Sequence, residues 1–189
     1  GGTALYLVPE ISLASFLARR LLERLGSSVA ILHSSMTEHE RVRQWLRAAS
    51  GSARAVIGPR SALFAPLPNL RLIVADEEHD PSYKQQDFPR YHARDMAVLR
   101  GQRAGIPVVL GSATPSVESY YNAAEAGKYH LLQLPERAGE AQLPPVEVVD
   151  MRREFKERGG ALTLSRALEE ALGECLGQGR QAVILRNRL

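Results

Sequence analysis

Four acidic residues and a histidine follow an unbroken apolar run near the middle of this sequence. The run Leu72–Ala75 leads directly into Asp76-Glu77-Glu78-His79-Asp80. A short run of branched apolar residues is typical of a central parallel strand that is buried on both faces. In open α/β sheets, ligands bind beyond the carboxyl ends of the strands, which is where these acids would lie.

The first two acids of this cluster have the chemistry of a phosphoryl-transfer site. A carboxylate at Asp76 can hold a hydrated magnesium ion, because magnesium keeps several waters and takes few protein ligands. A second carboxylate at Glu77 can position or deprotonate the water that attacks a γ-phosphate. A solvated acidic turn after a buried strand is the alternative interpretation of the same residues.

Strands and helices are predicted to alternate on both sides of this run. Apolar runs predict strands at Ala4–Val8, Val29–Leu32, Arg54–Ile57 and Val108–Leu110. Local signals predict helices that begin at Ser12, at the Thr37–Glu40 capping box, at about Tyr91, and with Pro115 in the first turn. Trp45 is predicted to face the core. This alternation predicts the α/β class, with a doubly wound, mostly parallel sheet.

A change of composition divides the chain into two parts. Proline, glycine and polar residues crowd between two apolar segments at 137–145, which indicates an interdomain linker. We therefore predict one domain at 1–136 and the start of a second at 146–189. The second part is predicted to hold a strand at Val146–Val149, a helix at Ser165–Leu176 and a strand at Ala182–Leu185. We expect the chain to be incomplete at both ends.

Composition excludes several classes of protein. A hydrophobic content of 44% with 24% charged residues is typical of a globular chain. Neither a bilayer-spanning apolar run nor a signal segment is visible, so we expect no membrane partner and a cytoplasmic location. Cys175 is the only cysteine, which excludes an internal disulfide and a multi-cysteine zinc site. The formal charge of +3 permits nucleic-acid binding without arguing for it.

Several motifs agree on one family. Asp-Glu-x-His at Asp76–His79 and Ser-Ala-Thr at Ser112–Thr114 are typical of superfamily two helicases. Four longer segments are typical of a single family within this superfamily: Leu7–Ile11, Arg60–Pro66, Ser82–Gln85 and Pro89–Asp95. Together they resemble the PriA family (primosomal protein N-prime) of replication-restart helicases, nearly from end to end. The resemblance implies a RecA-like helicase lobe with a DEAH-type box.

The resemblance also implies roles for individual residues. Asp76, Glu77, Glu78 and His79 would bind the nucleotide, with Asp76 on magnesium through water and Glu77 activating the attacking water. Glu78 and His79 would relay the nucleotide state to the DNA contacts. DNA binding or coupling is implied at Pro9, Glu10, Arg60, Ser61, Tyr83, Lys84, Arg90, Tyr91, His92, Arg94, Ser112 and Thr114. Pro59 stands where the family usually has Thr, which argues against a phosphate contact at that position.

Some of these residues have a second interpretation. Aromatic residues alternate with bases in Pro81–Asp95, which suits stacking on unpaired bases and neutralisation of phosphates. The same segment could be a surface loop in which Tyr91 only begins a helix and Phe88 only packs. A strand end explains Pro9 equally well, and Thr114 could be a helix cap.

For the whole protein, the resemblance implies an ATP- and magnesium-dependent helicase that unwinds DNA in the three-prime to five-prime direction. Its partners would be forked and single-stranded DNA, primosome loading proteins and single-strand binding protein, in a bacterial nucleoid. Zinc would be held outside this chain. No Gly-x-x-x-x-Gly-Lys-Ser/Thr motif occurs in the 189 residues, so the chain alone is expected to be inactive. The alternative is a non-catalytic DNA-binding or fork-loading module, against which the intact Asp76–Glu77 pair argues.

Overall fold

The first part of the chain forms a parallel sheet. The computed structural model describes residues 1–9, 19–136, 144–159 and 163–186. The strands are β1 (Thr3–Leu7), β2 (Val29–Ile31), β3 (Ala55–Gly58), β4 (Leu70–Ala75), the short pair β5 (Lys84–Gln85) and β6 (Tyr91–His92), and β7 (Val108–Leu110). In the described residues, the main sheet has the order β2-β3-β1-β4-β7, and each neighbouring pair is parallel. The predicted α/β class is confirmed.

Alternating side chains of these strands fill a core on each face of the sheet. On one face, Leu7 is fully buried in a cluster that includes Ala97 of a helix. On the other face, Ile57 is fully buried, and Leu21 from the helical residues 19–25 packs against it. Helices therefore cover both faces, which is the doubly wound arrangement that the sequence predicts.

The helices with both ends in the described residues are Glu38–Ala49, Ala93–Ala104, Val117–Ala124, Met151–Arg158 and Arg166–Gly177. The capping box predicted at Thr37 is confirmed, because Glu40 N–H donates to Thr37 Oγ1 at 3.3 Å and Thr37 N–H donates to Glu40 Oε2 at 3.0 Å. The predicted helix start at Ser12 lies outside the described residues.

The cap of the Val117–Ala124 helix corrects one prediction. The sequence predicts Pro115 in the first turn, but the N-cap is Ser116, which follows it. Ser116 Oγ accepts from Ser119 N–H at 3.2 Å, so the capping alternative for Thr114 is also wrong. A serine hydroxyl at this point satisfies a backbone N–H that the first turn leaves free.

The segment before the Ala93–Ala104 helix corrects a second prediction. Tyr91 and His92 do not begin the helix but pair with Gln85 and Lys84 in the antiparallel hairpin of β5 and β6. Their backbone groups are satisfied across the hairpin, so the helix begins at Ala93.

Trp45 is not a core residue. Its side chain is 36% exposed, whereas Ala48 of the same helix is fully buried. The helix therefore packs through a small residue, and its larger apolar side chains lie at the surface.

The chain consists of two compact units, Gly1–Leu132 and Gln133–Leu189. In the second unit, the helix predicted at Ser165–Leu176 is observed at Arg166–Gly177, with Ser165 as N-cap. The predicted strands at Val146–Val149 and Ala182–Leu185 are not formed, since the described residues of this unit provide no strand to pair with them. The predicted linker 137–145 lies mostly outside the described residues. Among the described helices, none has the length and apolar character needed to cross a bilayer.

Candidate functional site

The carboxyl ends of four parallel strands bring the candidate residues to one edge of the sheet. Pro9 follows β1, Arg60 follows β3, Asp76 follows β4 and Ser112 follows β7. The ladder continues past the strand ends: Asp76 N–H donates to the carbonyl of Leu7 at 3.0 Å. The edge is therefore a single surface on which these four loops are neighbours.

Asp76 is held by hydrogen bonds to both carboxylate oxygens. Tyr6 donates its hydroxyl to Asp76 Oδ2 at 3.1 Å, and Glu77 N–H donates to Oδ1 at 3.1 Å. Burial and the neighbouring Asp76 charge raise the pKa of Tyr6 to about 12, so Tyr6 remains a donor at neutral pH. Gly111 lies so close that an added Cβ would stand 3.3 Å from Asp76 Oδ1.

Glu77 and His79 lie on the exposed side of the edge. Glu77 has a left-handed backbone with φ of 45°, which is uncommon for a residue with a side chain and is found often at functional sites. Its carboxylate lies 3.6 Å from His79 Nδ1. His79 Nδ1 also lies 2.7 Å from Ser112 Oγ, which accepts from Thr114 N–H at 3.0 Å. A chain of polar contacts therefore joins the loop after β4 to the loop after β7.

Glu78 points the other way, into the protein, and is only 1% exposed. Its Oε1 accepts from Ser116 N–H at 2.6 Å. Its Oε2 accepts from the hydroxyls of Ser116 at 3.0 Å and Ser119 at 2.9 Å, and from Arg94 Nη1 at 3.1 Å. Burial alone would raise the pKa of Glu78, but these hydrogen bonds outweigh it and lower the pKa below its ordinary value.

This position corrects the nucleotide-binding role predicted for Glu78. A buried carboxylate with four protein donors is not open to a ligand at the edge. The DNA-contact role predicted for Arg94 is corrected as well, because Arg94 is only 9% exposed and its guanidinium is bonded to Glu78 and to Asp95. Burial lowers the pKa of Arg94, but the two carboxylates outweigh burial and raise it. Direct contact of Arg94 with DNA is therefore excluded in this conformation, while a coupling role through Glu78 stays a prediction.

Tyr83 does not offer the stacking surface that the sequence predicts. It is fully buried, and its hydroxyl donates to the carbonyl of Asp76 at 2.7 Å. Burial, and then the charges of nearby acids, raise its pKa. The stacking role of Tyr83 is therefore wrong, because its ring is part of the core beneath Asp76.

Other side chains of the hairpin segment lie outside. Lys84 and Arg90 are exposed, and Phe88 is 95% exposed, so the interpretation that Phe88 only packs is wrong. Tyr91 is half-buried, with its ring edge-on to Phe64 at a centroid distance of 5.2 Å.

Burial shifts two titrating groups of this segment. It raises the pKa of Tyr91 and lowers the pKa of His92, so His92 is neutral at pH 7. His92 is partly exposed, but its Nδ1 is buried and has no protein partner among the described residues.

Arg60, in the loop after β3, forms hydrogen bonds with the backbone at the start of the hairpin. Its Nη1 donates to the carbonyls of Ser82 at 2.9 Å and Lys84 at 3.2 Å. Ser82 Oγ in turn donates to the carbonyl of Pro9 at 3.2 Å. Arg60 and Pro9 thus have a structural function here, while Ser61 and Thr114 are exposed. Glu10 lies outside the described residues.

Three residues of this site, Tyr6, Ser116 and Ser119, are not among those predicted from the sequence. Tyr6 lies within the predicted strand Ala4–Val8, and only its register beside β4 brings it to Asp76. Ser116 and Ser119 have the spacing of a capped first turn, a signal that predicts a cap but not a carboxylate partner.

The Asp76 carboxylate fits a hydrated magnesium ion. It accepts one hydrogen bond at each oxygen, and a carboxylate has about four lone-pair sites, so acceptor capacity remains at both. Asp76 and Glu77 are both partly exposed at the strand end. Carboxylate oxygens on an accessible edge suit a cation that keeps most of its waters.

The sequence matches one family of helicases and several curated proteins. The profile of the DEAD/DEAH box helicase family matches residues 1–123. Replication restart protein PriA of Bacillus subtilis is 44% identical over 188 residues, which are 100% of this chain and 23% of that protein. PriA of Synechocystis is 45% identical over 192 residues, with the same two coverages of 100% and 23%. RecG bound to a three-way DNA junction is similar over 67% of this chain and 16% of that chain, at 22% identity and a TM-score of 0.45.

The chain spans about a quarter of the length of the curated relatives it matches. The family match covers the whole of the main sheet, from β1 to the Val117–Ala124 helix. This chain belongs to the DEAD/DEAH box helicase family, and its resemblance to the PriA proteins is confirmed.

Proposed function

We propose that the natural protein containing this chain is an ATP-dependent DNA helicase that unwinds DNA in the three-prime to five-prime direction and restarts stalled replication forks. The observation that carries the proposal is the placement of Asp76 and Glu77, both accessible, at the carboxyl end of β4 in a helicase-family sheet. ATP and magnesium are the general cofactors of this family.

Each of the two acids has a distinct task. Asp76 accepts one hydrogen bond at each carboxylate oxygen and keeps acceptor capacity for the waters of magnesium. Magnesium, when bound, neutralises charge on the phosphates. Glu77 would accept a proton from the attacking water, because its carboxylate is accessible and lies directly after Asp76 at the strand end.

The polar contacts around these acids support coupling between nucleotide and DNA. The His79–Ser112 contact of 2.7 Å joins the acidic loop to the loop after β7. Glu78 joins the same acidic loop to the Val117–Ala124 helix through Ser116 and Ser119. A change at the Asp76–Glu77 end can therefore reach two neighbouring elements through direct hydrogen bonds.

Single-stranded DNA is the proposed partner of the hairpin. Phe88 offers an exposed ring for stacking, and Lys84 and Arg90 offer charges for phosphates. Exposed Ser61 and Thr114 can add hydroxyl donors. Tyr91 and His92, on β6, set the position of the hairpin opposite Gln85 and Lys84.

Finer properties of the whole protein rest on the resemblance to PriA. We include in the proposal forked DNA, primosome loading proteins and single-strand binding protein as partners, and zinc bound outside this chain. The proposal also includes the division into a first domain at 1–136, a linker at 137–145 and the start of a second domain at 146–189. It places the protein in the bacterial cytoplasm, at the nucleoid.

The test uses two substitutions in the natural protein. Glu77→Gln keeps the shape but cannot take a proton, so we expect nucleotide binding to persist while turnover falls by about 100-fold or more. Asp76→Asn should instead weaken magnesium-dependent nucleotide binding. Measurements are DNA-stimulated phosphate release and the binding of a fluorescent ATP analogue.

Two outcomes would count against the proposal. If both variants turned over ATP at the parental rate, Asp76 and Glu77 would not take part in hydrolysis. DNA binding without any ATPase in the unmodified natural protein would favour the non-catalytic fork-loading module. The 189-residue chain by itself is expected to show no ATPase, because its sequence lacks the phosphate-binding Gly-x-x-x-x-Gly-Lys-Ser/Thr loop.

A further inference from the structure

Tyr6 touches the proposed magnesium ligand from a neighbouring strand. Its hydroxyl donates to Asp76 Oδ2 at 3.1 Å, across two strands that are paired in parallel. The register places Tyr6 opposite Val74, two residues before Asp76. Because side chains alternate along a strand, the side chains of Val74 and Asp76 leave β4 toward the same face as Tyr6.

We propose that Tyr6 is a positioning residue that fixes the orientation of the Asp76 carboxylate for a divalent cation. The backbone N–H of Glu77 holds Oδ1, and the Tyr6 hydroxyl holds Oδ2. With both oxygens tethered, the carboxylate cannot rotate freely, and its remaining lone pairs have fixed directions. Partners of this kind, one step removed from a metal, orient the ligand that touches it.

The surroundings of Tyr6 give this contact its rigidity. The ring packs against the apolar cluster of Val8, Val29, Ala55 and Ile57 on one face of the sheet. The hydroxyl therefore approaches Asp76 from a side chain that the core already holds in place. A rigid donor loses little conformational entropy when it orients the carboxylate.

The inference rests on the proposed function, because it takes Asp76 to be the carboxylate that serves the cation. It adds a residue outside the acidic motif, and it predicts a specific defect. Removal of the Tyr6 hydroxyl should raise the magnesium concentration that nucleotide binding requires. It should not change the affinity for the nucleotide when magnesium is absent.

Tyr6→Phe in the natural protein tests this inference. The probe is a fluorescent ADP analogue, titrated with magnesium chloride and, separately, in EDTA. We expect the half-saturating magnesium concentration to rise by about 10-fold, the lower end of the range for such positioning partners. Affinity for the analogue in EDTA should stay unchanged. Tyr121→Phe, which removes the same atom from an exposed side chain, is the matched control and should change neither value.

The outcomes separate this inference from the proposed function. If Asp76→Asn raises the magnesium requirement and Tyr6→Phe does not, the role of Tyr6 is overturned and the proposed function stands. If Asp76→Asn has no effect, the cation site itself is wrong. If Tyr6→Phe also lowers the melting temperature, the double variant Tyr6→Phe/Asp76→Asn separates a positioning role from a general loss of stability. We expect the double variant to have the same magnesium requirement as Asp76→Asn alone. A further increase in the double variant would overturn the inference.

Discussion

The residues that follow β4 form two groups, one exposed and one buried. The outward group is Asp76, Glu77 and His79, of which Glu77 and His79 have side chains 42% and 36% exposed. The inward group is Glu78 with Tyr83, which are 1% and 0% exposed. Sequence alone suggests one functional cluster, whereas the structure separates accessible acids from a buried acid and a buried phenol.

The difference shows how a strand end can present reactive groups without losing its geometry. The inward residues are hydrogen-bonded within the protein: the Tyr83 hydroxyl donates to the Asp76 carbonyl at 2.7 Å, and Glu78 accepts from two serines and from Arg94. The outward residues keep free lone pairs. Rigid support beneath an accessible carboxylate is what positions a catalytic group.

The largest effect that tests this comparison is expected at Tyr83. Tyr83→Ala removes a fully buried ring, for which losses of about 3–5 kcal/mol in the free energy of unfolding are typical of aromatic residues. Tyr83→Phe removes only the hydroxyl and should cost about 1 kcal/mol. Urea unfolding of the natural protein measures both. A loss in single-strand affinity from Tyr83→Ala with unchanged stability would restore the stacking role.

A somewhat smaller loss is expected at Glu78. Glu78→Ala removes one of the two carboxylates that pair with buried Arg94, and breaking a buried pair costs about 3 kcal/mol at the lower end of its range. The lower end applies because Arg94 keeps Asp95. The matched control is Glu77→Ala, which removes an accessible carboxylate and should change the stability by less than about 0.5 kcal/mol. Equal losses from the two variants would contradict the division into outward and inward groups.

Local signals predicted much of the fold, and their failures have a common cause. The capping box at Thr37, the strand Val108–Leu110 and the acidic end of β4 follow from short patterns and are confirmed. Tyr83 and Trp45 were placed wrongly because burial is set by packing between distant segments. The hairpin of β5 and β6 turns Tyr83 under Asp76, and Ala48 takes the place beside the sheet that Trp45 was expected to fill.

The same limit explains the unexpected partners of the site. Pairing of β1 beside β4 brings Tyr6 to Asp76, which lies 70 positions along the chain. Nothing in either segment encodes that contact locally. Strand predictions at Val146–Val149 and Ala182–Leu185 failed for the related reason that a strand needs a neighbour, and the described residues of that unit supply none.

The buried carboxylate of Glu78 should also make the stability depend on pH. The folded state lowers the pKa of Glu78 below its ordinary value of 4.5, so the contribution of Glu78 to stability is complete above that value. It is lost as the pH falls from 4.5 through the lower folded pKa. Glu78→Gln removes this titration, so its loss of stability between about pH 6 and about pH 3 should be smaller than that of the parent. An unchanged acid limb in Glu78→Gln would show that folding does not lower the pKa of Glu78.

The smallest effect is expected at Lys84, next to Tyr83 but on the outer side of the hairpin. Lys84→Ala removes an exposed charge, so the melting temperature should not change. If Lys84 neutralises a DNA phosphate, the slope of log affinity against log salt for single strands should fall by about 0.7. Fluorescence anisotropy with a labelled oligonucleotide over a salt series measures this slope, and Lys128→Ala, which removes another exposed lysine, is the control. Equal slopes for Lys84→Ala and the parent would place the outer side of the hairpin away from the DNA. A lowered melting temperature would instead assign Lys84 to the support of Tyr83, and the inward group would then extend to the hairpin surface.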